Sequence, residues 1–496
     1  MPNSVIKDRV SNIGFFIGIA ALAITVFIEA PSGLSNVAWL TAGVAVLMAS
    51  WWVSEAIPIP STGLVPLVLF PILGIADIKT AAAPFAHPIN LLFLGGFIIA
   101  ASMEKWGLHR RIALNLVTII GTGPRSIVAG FMIATAGLSM WVSNTASTIM
   151  MLPIAMSVIN LFERGRRLGL SETDKNFAKA LMLAIAYSAS IGGMATLIGT
   201  PPNIVLAGVL SDTYGFEIGF VEWMFVGLPI VLILLPIVWI FLVKIAFKIP
   251  VKGPSNLVNS IYSSRRSLGK MSSPEIAVAI VFATVAILWI SRRQLTLWFP
   301  ELGINDTSIA VVGALLLFFI PAGNGERVCS WDTAIKIPWG VLFLVGGGLS
   351  LSNAFKSSGL AAWIGSHTTL LGGLELIIIV LAIVGLIVFL TELNSNTATT
   401  ATFVPILAAV SIGINENPLL MVIPATLGAS CAFMFPNATP PNAVVFGSGH
   451  LTIMNMIRAG FILNLIAIII VTCVSFLLLS IVFDVQPGNI PDWAFN

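Results

Sequence analysis

The chain has 496 residues, of which 57% are hydrophobic and 9% are charged, with a formal net charge of +3. Soluble proteins carry about 25% charged residues, so this composition excludes an ordinary soluble globular protein. Long apolar runs recur, and a bilayer core of about 30 Å needs about 20 such residues as a helix. The sequence predicts an all-α polytopic membrane protein, because the period-2 alternation of a β-barrel is absent.

The first apolar segment follows a short polar start. We expect it to be retained as a helix, because no convincing cleavage site of a signal peptide follows it. Segments 126–161 and 375–412 are too long for one crossing, and each carries Ser-Asn-Thr near its middle. Both are predicted to be re-entrant hairpins, which enter and leave on the same side. The apolar segments are 13–30, 37–53, 59–76, 88–103, 126–161, 178–210, 222–247, 276–291, 307–321, 339–354, 375–412, 418–448 and 457–483.

Two further segments are interrupted by a pair of prolines. Segment 178–210 contains GTPPN at Gly199–Asn203, and segment 418–448 contains ATPPN at Ala438–Asn442. Proline lacks the backbone N–H and disfavours helix at the preceding residue. Each segment is therefore predicted to be a broken helix with a free N-terminus inside the membrane.

The hairpins and broken helices belong to an internal repeat. Ser143 and Ser395 lie 252 positions apart, and Thr200 and Thr439 lie 239 positions apart. The second interval is shorter because the first half has a longer polar loop between its triplet and its proline pair. The predicted organisation is an N-terminal helix (1–36), a first repeat (37–247), a cytoplasmic linker (248–275), a second repeat (276–483) and an external C-terminal tail (484–496).

The basic residues predict the orientation. If the first helix runs outwards, twenty of the 24 Lys and Arg residues are cytoplasmic, and only Lys79, Arg292, Arg293 and Lys356 are external. This asymmetry favours eleven transmembrane spans with the N-terminus inside and the C-terminus outside. Each repeat then has an odd number of crossings, so the two repeats are inverted relative to each other.

Inverted repeats with broken helices place a transporter's site near the membrane midplane. Helix N-termini there favour anions, while exposed carbonyls and hydroxyls suit a hard cation such as Na⁺. No Lys or Arg lies close in sequence to the triplets or proline pairs, so a bound cation would balance a multivalent anion. The side chains expected to meet are Ser143, Asn144, Thr145, Thr200, Ser395, Asn396, Thr397 and Thr439.

Other polar residues are weaker candidates. A lone Ser or Thr in a membrane helix usually bonds the preceding turn, but the matched duplication argues against that interpretation here. Glu392 is an acid within an apolar segment, which makes it a functional candidate. The first repeat has Met140 at that position, so we favour a structural or field-tuning role for Glu392.

Enzymes and metal proteins are disfavoured. Cys329, Cys431 and Cys473 are isolated, and the four His residues are scattered. The spans contain no HExxH motif and no pair of acids that would serve catalysis. A folded soluble domain that could bind nucleic acid is also missing from the pattern.

The paired motifs resemble those of the divalent anion/sodium symporter (DASS, or INDY) family. The resemblance rests on WVSNTA from Trp141, NSNTAT from Asn394, GTPPN from Gly199 and ATPPNAVVFGSG from Ala438, and it covers about residues 37–483. It implies a homodimer of eleven-span protomers with two opposed hairpins. It also implies an elevator mechanism, in which a transport domain slides against a dimeric scaffold.

The resemblance further assigns ligands. One Na⁺ site would use Ser139, Ser143, Asn144 and Gly199, and the other would use Thr391, Asn394 through its backbone, Asn396 and Ala438. Asn394 departs from the small residue that the family usually carries, but only its carbonyl should matter. Substrate carboxylates would meet Asn144, Thr145, Ser395, Asn396 and Thr397, with Thr200, Thr439 and Pro440 shaping the pocket.

The expected function is Na⁺-coupled import of C4-dicarboxylates such as succinate, malate or fumarate across a bacterial inner (plasma) membrane. Family exchangers that do not use Na⁺ tend to lose the Asn of one triplet, and both are present here. A Na⁺-independent dicarboxylate exchanger and a Na⁺-coupled sulfate or citrate symporter remain as alternatives.

Overall fold

The computed structural model describes residues 2–120, 123–164, 172–250, 265–323, 325–367 and 374–495. Half of the predicted linker, residues 251–264, lies outside the described residues, as do Arg166 and Arg167. The described part is predominantly helical, as the composition predicts. Six of its helices are long and apolar enough to cross a membrane, and five shorter apolar helices accompany them.

The first half of the chain consists of twelve helices within the described residues. They are α1 Pro2–Phe27, α2 Asn36–Ser54, α3 Ile59–Thr62, α4 Val65–Leu73, α5 Ile78–Ala82, α6 Pro88–Lys105, α7 Leu108–Ile120, α8 Pro124–Ser139, α9 Asn144–Arg164, α10 Glu172–Gly193, α11 Pro201–Tyr214 and α12 Phe220–Ile240. A short 3₁₀ helix, Ala83–Ala86, follows α5, and a π-helical turn, Phe241–Ala246, extends α12.

The second half contains ten helices and two short strands within the described residues. Its helices are α13 Ser273–Trp298, α14 Asp306–Phe319, α15 Trp331–Ala334, α16 Trp339–Ser357, α17 Leu360–His367, α18 Leu376–Thr391, α19 Asn396–Gly413, α20 Leu419–Ala429, α21 Pro440–Phe446 and α22 Ile453–Phe483. Strands β1 Pro321–Gly323 and β2 Glu326–Arg327 pair antiparallel after α14. Short 3₁₀ helices lie at Pro300–Leu302 and Asp492–Phe495.

Several predicted boundaries need correction. Segment 59–76 is not one helix but two, α3 and α4, because the chain turns at Gly63 and Leu64. Pro66 lies in the first turn of the second helix. Helices α7 and α17 were not predicted at all. Each follows a glycine with positive φ, +73° at Gly107 and +84° at Gly359, a conformation that side chains other than glycine seldom adopt. These matched turns explain why both glycines occur in the repeat.

Elements of the two halves pack against each other. Helices α9 and α10 contact α21, while α11 contacts α19 and α20. Small residues permit close approach elsewhere: a Cβ on Gly95 would lie 2.6 Å from the carbonyl carbon of Ala310, where α6 crosses α14. The halves therefore share one packed core, and the motif-bearing elements of each half lie against those of the other.

A polar cluster holds the C-terminal end of α11 to α16. Asn353 donates to Asp212 at 2.7 Å, and Thr213 shares a 2.8 Å hydrogen bond with Ser352. Lys356 donates to the carbonyl of Thr213. Asp212, Thr213, Asn353 and Lys356 border a cavity of about 360 Å³. Thr200, one of the predicted site residues, is the N-cap of α11. The polar cluster lies at the opposite end of the same helix.

Candidate functional site

The two hairpin tips have the same construction. Helix α8 ends at Ser139 and α9 begins at Asn144, while α18 ends at Thr391 and α19 begins at Asn396. Four residues make each turn, so the Ser-Asn-Thr triplets stand at the start of the returning helix. Each of the segments 126–161 and 375–412 thus contains two helices joined by a short turn, with the triplet where the second helix begins.

The last residue of the first helix in each hairpin contacts the Asn side chain of the triplet. The Ser139 hydroxyl lies 2.6 Å from Oδ1 of Asn144 and 2.7 Å from the Ala189 carbonyl. The Thr391 hydroxyl lies 2.6 Å from Oδ1 of Asn396 and 2.9 Å from the Ala429 carbonyl. The same three groups thus meet in each half: a hydroxyl, an Asn side-chain amide and a backbone carbonyl.

The first tip shows what this oxygen-rich arrangement could hold. The Asn144 side-chain atom that faces Ser139 also lies 3.1 Å from the Ala189 carbonyl oxygen and 3.2 Å from that of Gly199. An amide nitrogen at that position would donate to all three groups. An amide oxygen would instead complete a set of four oxygens, which is the donor chemistry that a hard cation prefers. With the amide oxygen facing inwards these residues fit Na⁺, and with the nitrogen there the hydrogen bonds alone satisfy the side chain.

The broken helices are also matched. Thr200 and Thr439 are extended, with φ/ψ of −145°/142° and −142°/148°, and the following proline begins α11 or α21. The Asn203 amide donates to the carbonyls of Gly193 and Thr196 at 3.2 and 2.8 Å. The Asn442 amide donates to those of Ala432 and Phe435 at 3.1 and 3.0 Å. Each Asn therefore holds its break open in the same geometry.

Asn203 and Asn442 were not among the predicted site residues, although they end the GTPPN and ATPPN motifs. Their recurrence at the same spacing as the two threonines was the signal that could have identified them. Proline removes a backbone donor, so carbonyls at each break need another partner. The Asn side chain at the end of each motif provides such a hydrogen-bond donor.

The predicted site residues differ in how far the structure brings them together. Ser139, Asn144, Gly199, Thr391 and Asn396 join the oxygen clusters described above. Ser143 is exposed, and its hydroxyl accepts a hydrogen bond from the N–H of Ala146 at 3.2 Å. The Asn394 side chain accepts from the N–H of Ser395 at 2.8 Å.

The remaining candidates lie around these clusters. Thr145 and Thr397 are half-buried at the first turn of their helices, and Pro440 is exposed. Thr200, Ala438 and Thr439 are buried, and the Thr439 hydroxyl has no hydrogen-bond partner among the described residues. Within the described residues, the side-chain hydrogen bonds of Ser139, Asn144, Thr391 and Asn396 join them to one another and to backbone groups.

The tips differ in their outer contacts. Trp141 stacks on Phe220 with ring centroids 5.9 Å apart and meets Phe282 edge-on at 5.1 Å, so it packs against α12 and α13. Leu393, at the equivalent position of the second tip, is 66% exposed. The first tip is thus covered by aromatic side chains, while the second presents an apolar side chain outwards.

Comparison with protein families and curated proteins gives a consistent result. The family model described as the sodium:sulfate symporter transmembrane region matches residues 9–483. The sodium-dependent dicarboxylate transporter SdcS of Staphylococcus saprophyticus is 41% identical over 481 residues, covering 96% of this chain and 92% of SdcS. SdcS of Staphylococcus aureus USA300 is 40% identical over 479 residues, with the same coverage.

Solved structures show a similar fold at low sequence identity. MtrF of Neisseria gonorrhoeae, described as an antimetabolite efflux pump, has a TM-score of 0.59 and 14% identity, covering 95% of this chain and 100% of MtrF. The YdaH transporter of Alcanivorax borkumensis has a TM-score of 0.57 and 14% identity, covering 90% of this chain and 98% of YdaH. The family match and the SdcS identities extend over nearly the whole chain, and the chain belongs to the sodium:sulfate symporter family, the divalent anion/sodium symporters.

Proposed function

We propose that this protein is a Na⁺-coupled symporter that imports C4-dicarboxylates such as succinate, malate or fumarate across the plasma membrane. One observation carries the proposal: the two hairpin tips bring together matched sets of hydroxyl, amide and carbonyl groups that hydrogen-bond one another. The SdcS relatives, named sodium-dependent dicarboxylate transporters, support the same ion and the same class of anion.

The first cation site consists of Ser139, Ser143, Asn144 and the carbonyl of Gly199. The second consists of Thr391, Asn396 and the carbonyls of Asn394 and Ala438. In the structure, the Ser143 hydroxyl caps the first turn of α9. When Na⁺ binds, this hydroxyl would turn towards the ion. Bound Na⁺ supplies the positive charge that a dianion needs in a region where no basic side chain contacts the tips.

The dicarboxylate lies between the two tips. One carboxylate accepts hydrogen bonds from the amide and hydroxyl side chains of Asn144 and Thr145. The other accepts them from Ser395, Asn396 and Thr397. Thr200, Thr439 and Pro440 form the remaining walls, and the N-termini of α9 and α19 favour negative charge at this position.

The membrane arrangement is part of the proposal. The protomer has eleven spans with the N-terminus inside, the C-terminus outside, and two inverted repeats covering 37–247 and 276–483. Residues 1–36 form the N-terminal helix, 248–275 the cytoplasmic linker and 484–496 the external tail. The protein acts as a homodimer by an elevator mechanism, in which the part that carries the site slides across the membrane.

Two alternatives make different predictions. A Na⁺-independent exchanger would need internal dicarboxylate but no cation gradient. A sulfate or citrate symporter would keep the Na⁺ dependence, and the sulfate in the family's description favours testing that anion directly. Both triplets retain their Asn, which favours the coupled transporter.

The deciding measurement is uptake of radiolabelled succinate into proteoliposomes without internal substrate, with either Na⁺ or choline outside. We expect accumulation with Na⁺ alone, and competition by malate and fumarate but not by sulfate. Uptake that requires internal dicarboxylate, whatever the cation, would identify an exchanger. Ser291→Ala is a suitable control variant, because the Ser291 hydroxyl bonds only carbonyls of its own helix.

A further inference from the structure

Glu392 is a buried acid in the turn of the second hairpin, directly after Thr391. It is 1% exposed. No ion pair joins it to a basic side chain in the described parts of the chain. The first hairpin has Met140 at the same position, so this acid is a difference between two tips that are otherwise built alike.

The Glu392 carboxylate accepts four hydrogen bonds. Oε1 accepts from the backbone N–H groups of Phe433 and Met434 at 2.6 and 2.8 Å, and from the Asn464 amide at 2.6 Å. Oε2 accepts from the N–H of Phe435 at 3.1 Å. All four partners are donors, which matches an ionised carboxylate, because that group only accepts.

These bonds fix the break between α20 and α21. Three consecutive N–H groups point at one carboxylate, while the Asn442 amide holds the carbonyls of Ala432 and Phe435 from the other side. The same break leads to Ala438, whose carbonyl belongs to the proposed second cation site. Glu392 therefore sets the path of the backbone that supplies this oxygen.

The first half uses neutral groups for the same task. Met194 and Ala195 donate to the carbonyls of Ile191 and Gly192 at 3.1 and 3.0 Å. The Thr196 hydroxyl donates to the carbonyl of Met140. No charged side chain takes part in these contacts: the backbone, the Thr196 hydroxyl and the Asn203 amide hold the first break.

We propose that Glu392 is a positioning residue that makes the two cation sites unequal. It holds the oxygens of the second site in place and adds a fixed negative charge beside that site only. The second site therefore binds Na⁺ more tightly than the first and fills before it. This inference rests on the proposed function, because it requires that both sites take Na⁺.

The test uses variants that each keep only one of the two cation sites intact. Asn144→Ala isolates the second site and Asn396→Ala isolates the first, and Glu392→Gln is added to each. Na⁺ binding is measured on the purified full-length protein as the rise in melting temperature with Na⁺ at constant ionic strength in choline, since a ligand of the native state stabilises it.

In the Asn144→Ala background we expect Glu392→Gln to weaken Na⁺ binding about tenfold or more, the size expected for a unit charge within roughly 10 Å at an effective dielectric constant of about 20. In the Asn396→Ala background the change should stay below about twofold. Equal loss in both backgrounds would mean a general folding defect, and no loss in either would overturn the proposal.

A second variant separates charge from position. Glu392→Asp keeps the charge but withdraws it from the three N–H groups. Hydrogen exchange at Phe433–Phe435 should become faster, while Na⁺ binding stays within about threefold of the parent. A loss as large as that of Glu392→Gln would refute the role of the charge. Wild-type protein that does not respond to Na⁺ would instead overturn the proposed function, together with this inference.

Discussion

The two hairpin tips have the same polar contacts but different surroundings. Ser139 and Thr391 each meet an Asn amide and a carbonyl, at distances that agree within 0.2 Å. Around that shared centre, Gly193 and Gly199 in the first half correspond to Ala432 and Ala438 in the second. The contacts proposed to hold an ion are thus duplicated, while the surrounding packing and charge differ between the two tips.

The largest expected effect tests the shared centre. Asn144→Ala and Asn396→Ala each remove an amide that the proposal assigns to both ion and anion. Each should lower Na⁺-driven succinate uptake roughly 100-fold, because hydrogen bonds to charged groups contribute about 1.5–3 kcal/mol apiece. Uptake in proteoliposomes measures this. If only one variant were impaired, the two tips would not be equivalent in function.

A smaller effect tests the difference in packing. A Cβ on Gly193 would lie 2.6 Å from Oδ1 of Asn144 and 3.1 Å from the carbonyl oxygen of Gly199. Overpacking of this kind costs about 1–3 kcal/mol, so Gly193→Ala should reduce Na⁺-driven uptake about 30-fold. The matched variant, Ala432→Gly, should change uptake less than about threefold, because it only removes a methyl group.

The contacts outside the tips give the next prediction. Trp141→Ala removes two aromatic contacts and should destabilise the protein by about 2 kcal/mol, below the ~3–5 kcal/mol of a fully buried aromatic. Leu393→Ala should change stability by less than about 0.5 kcal/mol, as for other exposed sites. Thermal unfolding in detergent compares them, and equal losses would contradict the exposure of Leu393.

The smallest effect should be the same in both halves. The hydroxyls of Thr148 and Thr400 donate to the carbonyls of Asn144 and Asn396 at 2.8 and 2.9 Å. Thr148→Val and Thr400→Val each remove one hydrogen bond, which contributes about 1 kcal/mol. Matched drops in melting temperature would support the symmetry, and a difference above about 1 kcal/mol would argue against it.

The sequence predicted the hairpins and broken helices well, because proline pairs and polar triplets interrupt helices for local steric reasons. It did not predict α7, because His109 and Arg110 keep that helix from forming a long apolar run. Nor could it predict that Arg111 pairs with Glu275, 164 positions away, which ties α7 to the start of α13. Contacts between distant segments follow from the packed fold and not from the local pattern.

The candidate site was likewise predicted only where local sequence patterns determine it. The repeated triplets identified Asn144 and Asn396, whereas Ser139 and Thr391 were assigned only through the family resemblance. The sequence left the role of Glu392 open between structure and function, because nothing near it in the chain hints at its four donors. Those donors come from α22 and from the break before α21, more than 40 residues away.

The polar cluster at the end of α11 has a practical consequence. A helix of 14 residues is a stiff rod roughly 21 Å long, with Thr200 before one end and Asp212 near the other. If the substrate site travels while α16 stays in place, α11 must travel with the site, and the bond between Asp212 and Asn353 must break. The separation of α11 from α16 at that end is therefore a gauge of carrier position. Spin labels placed one turn from the cluster would follow the transport cycle while leaving every ligand-binding residue unchanged.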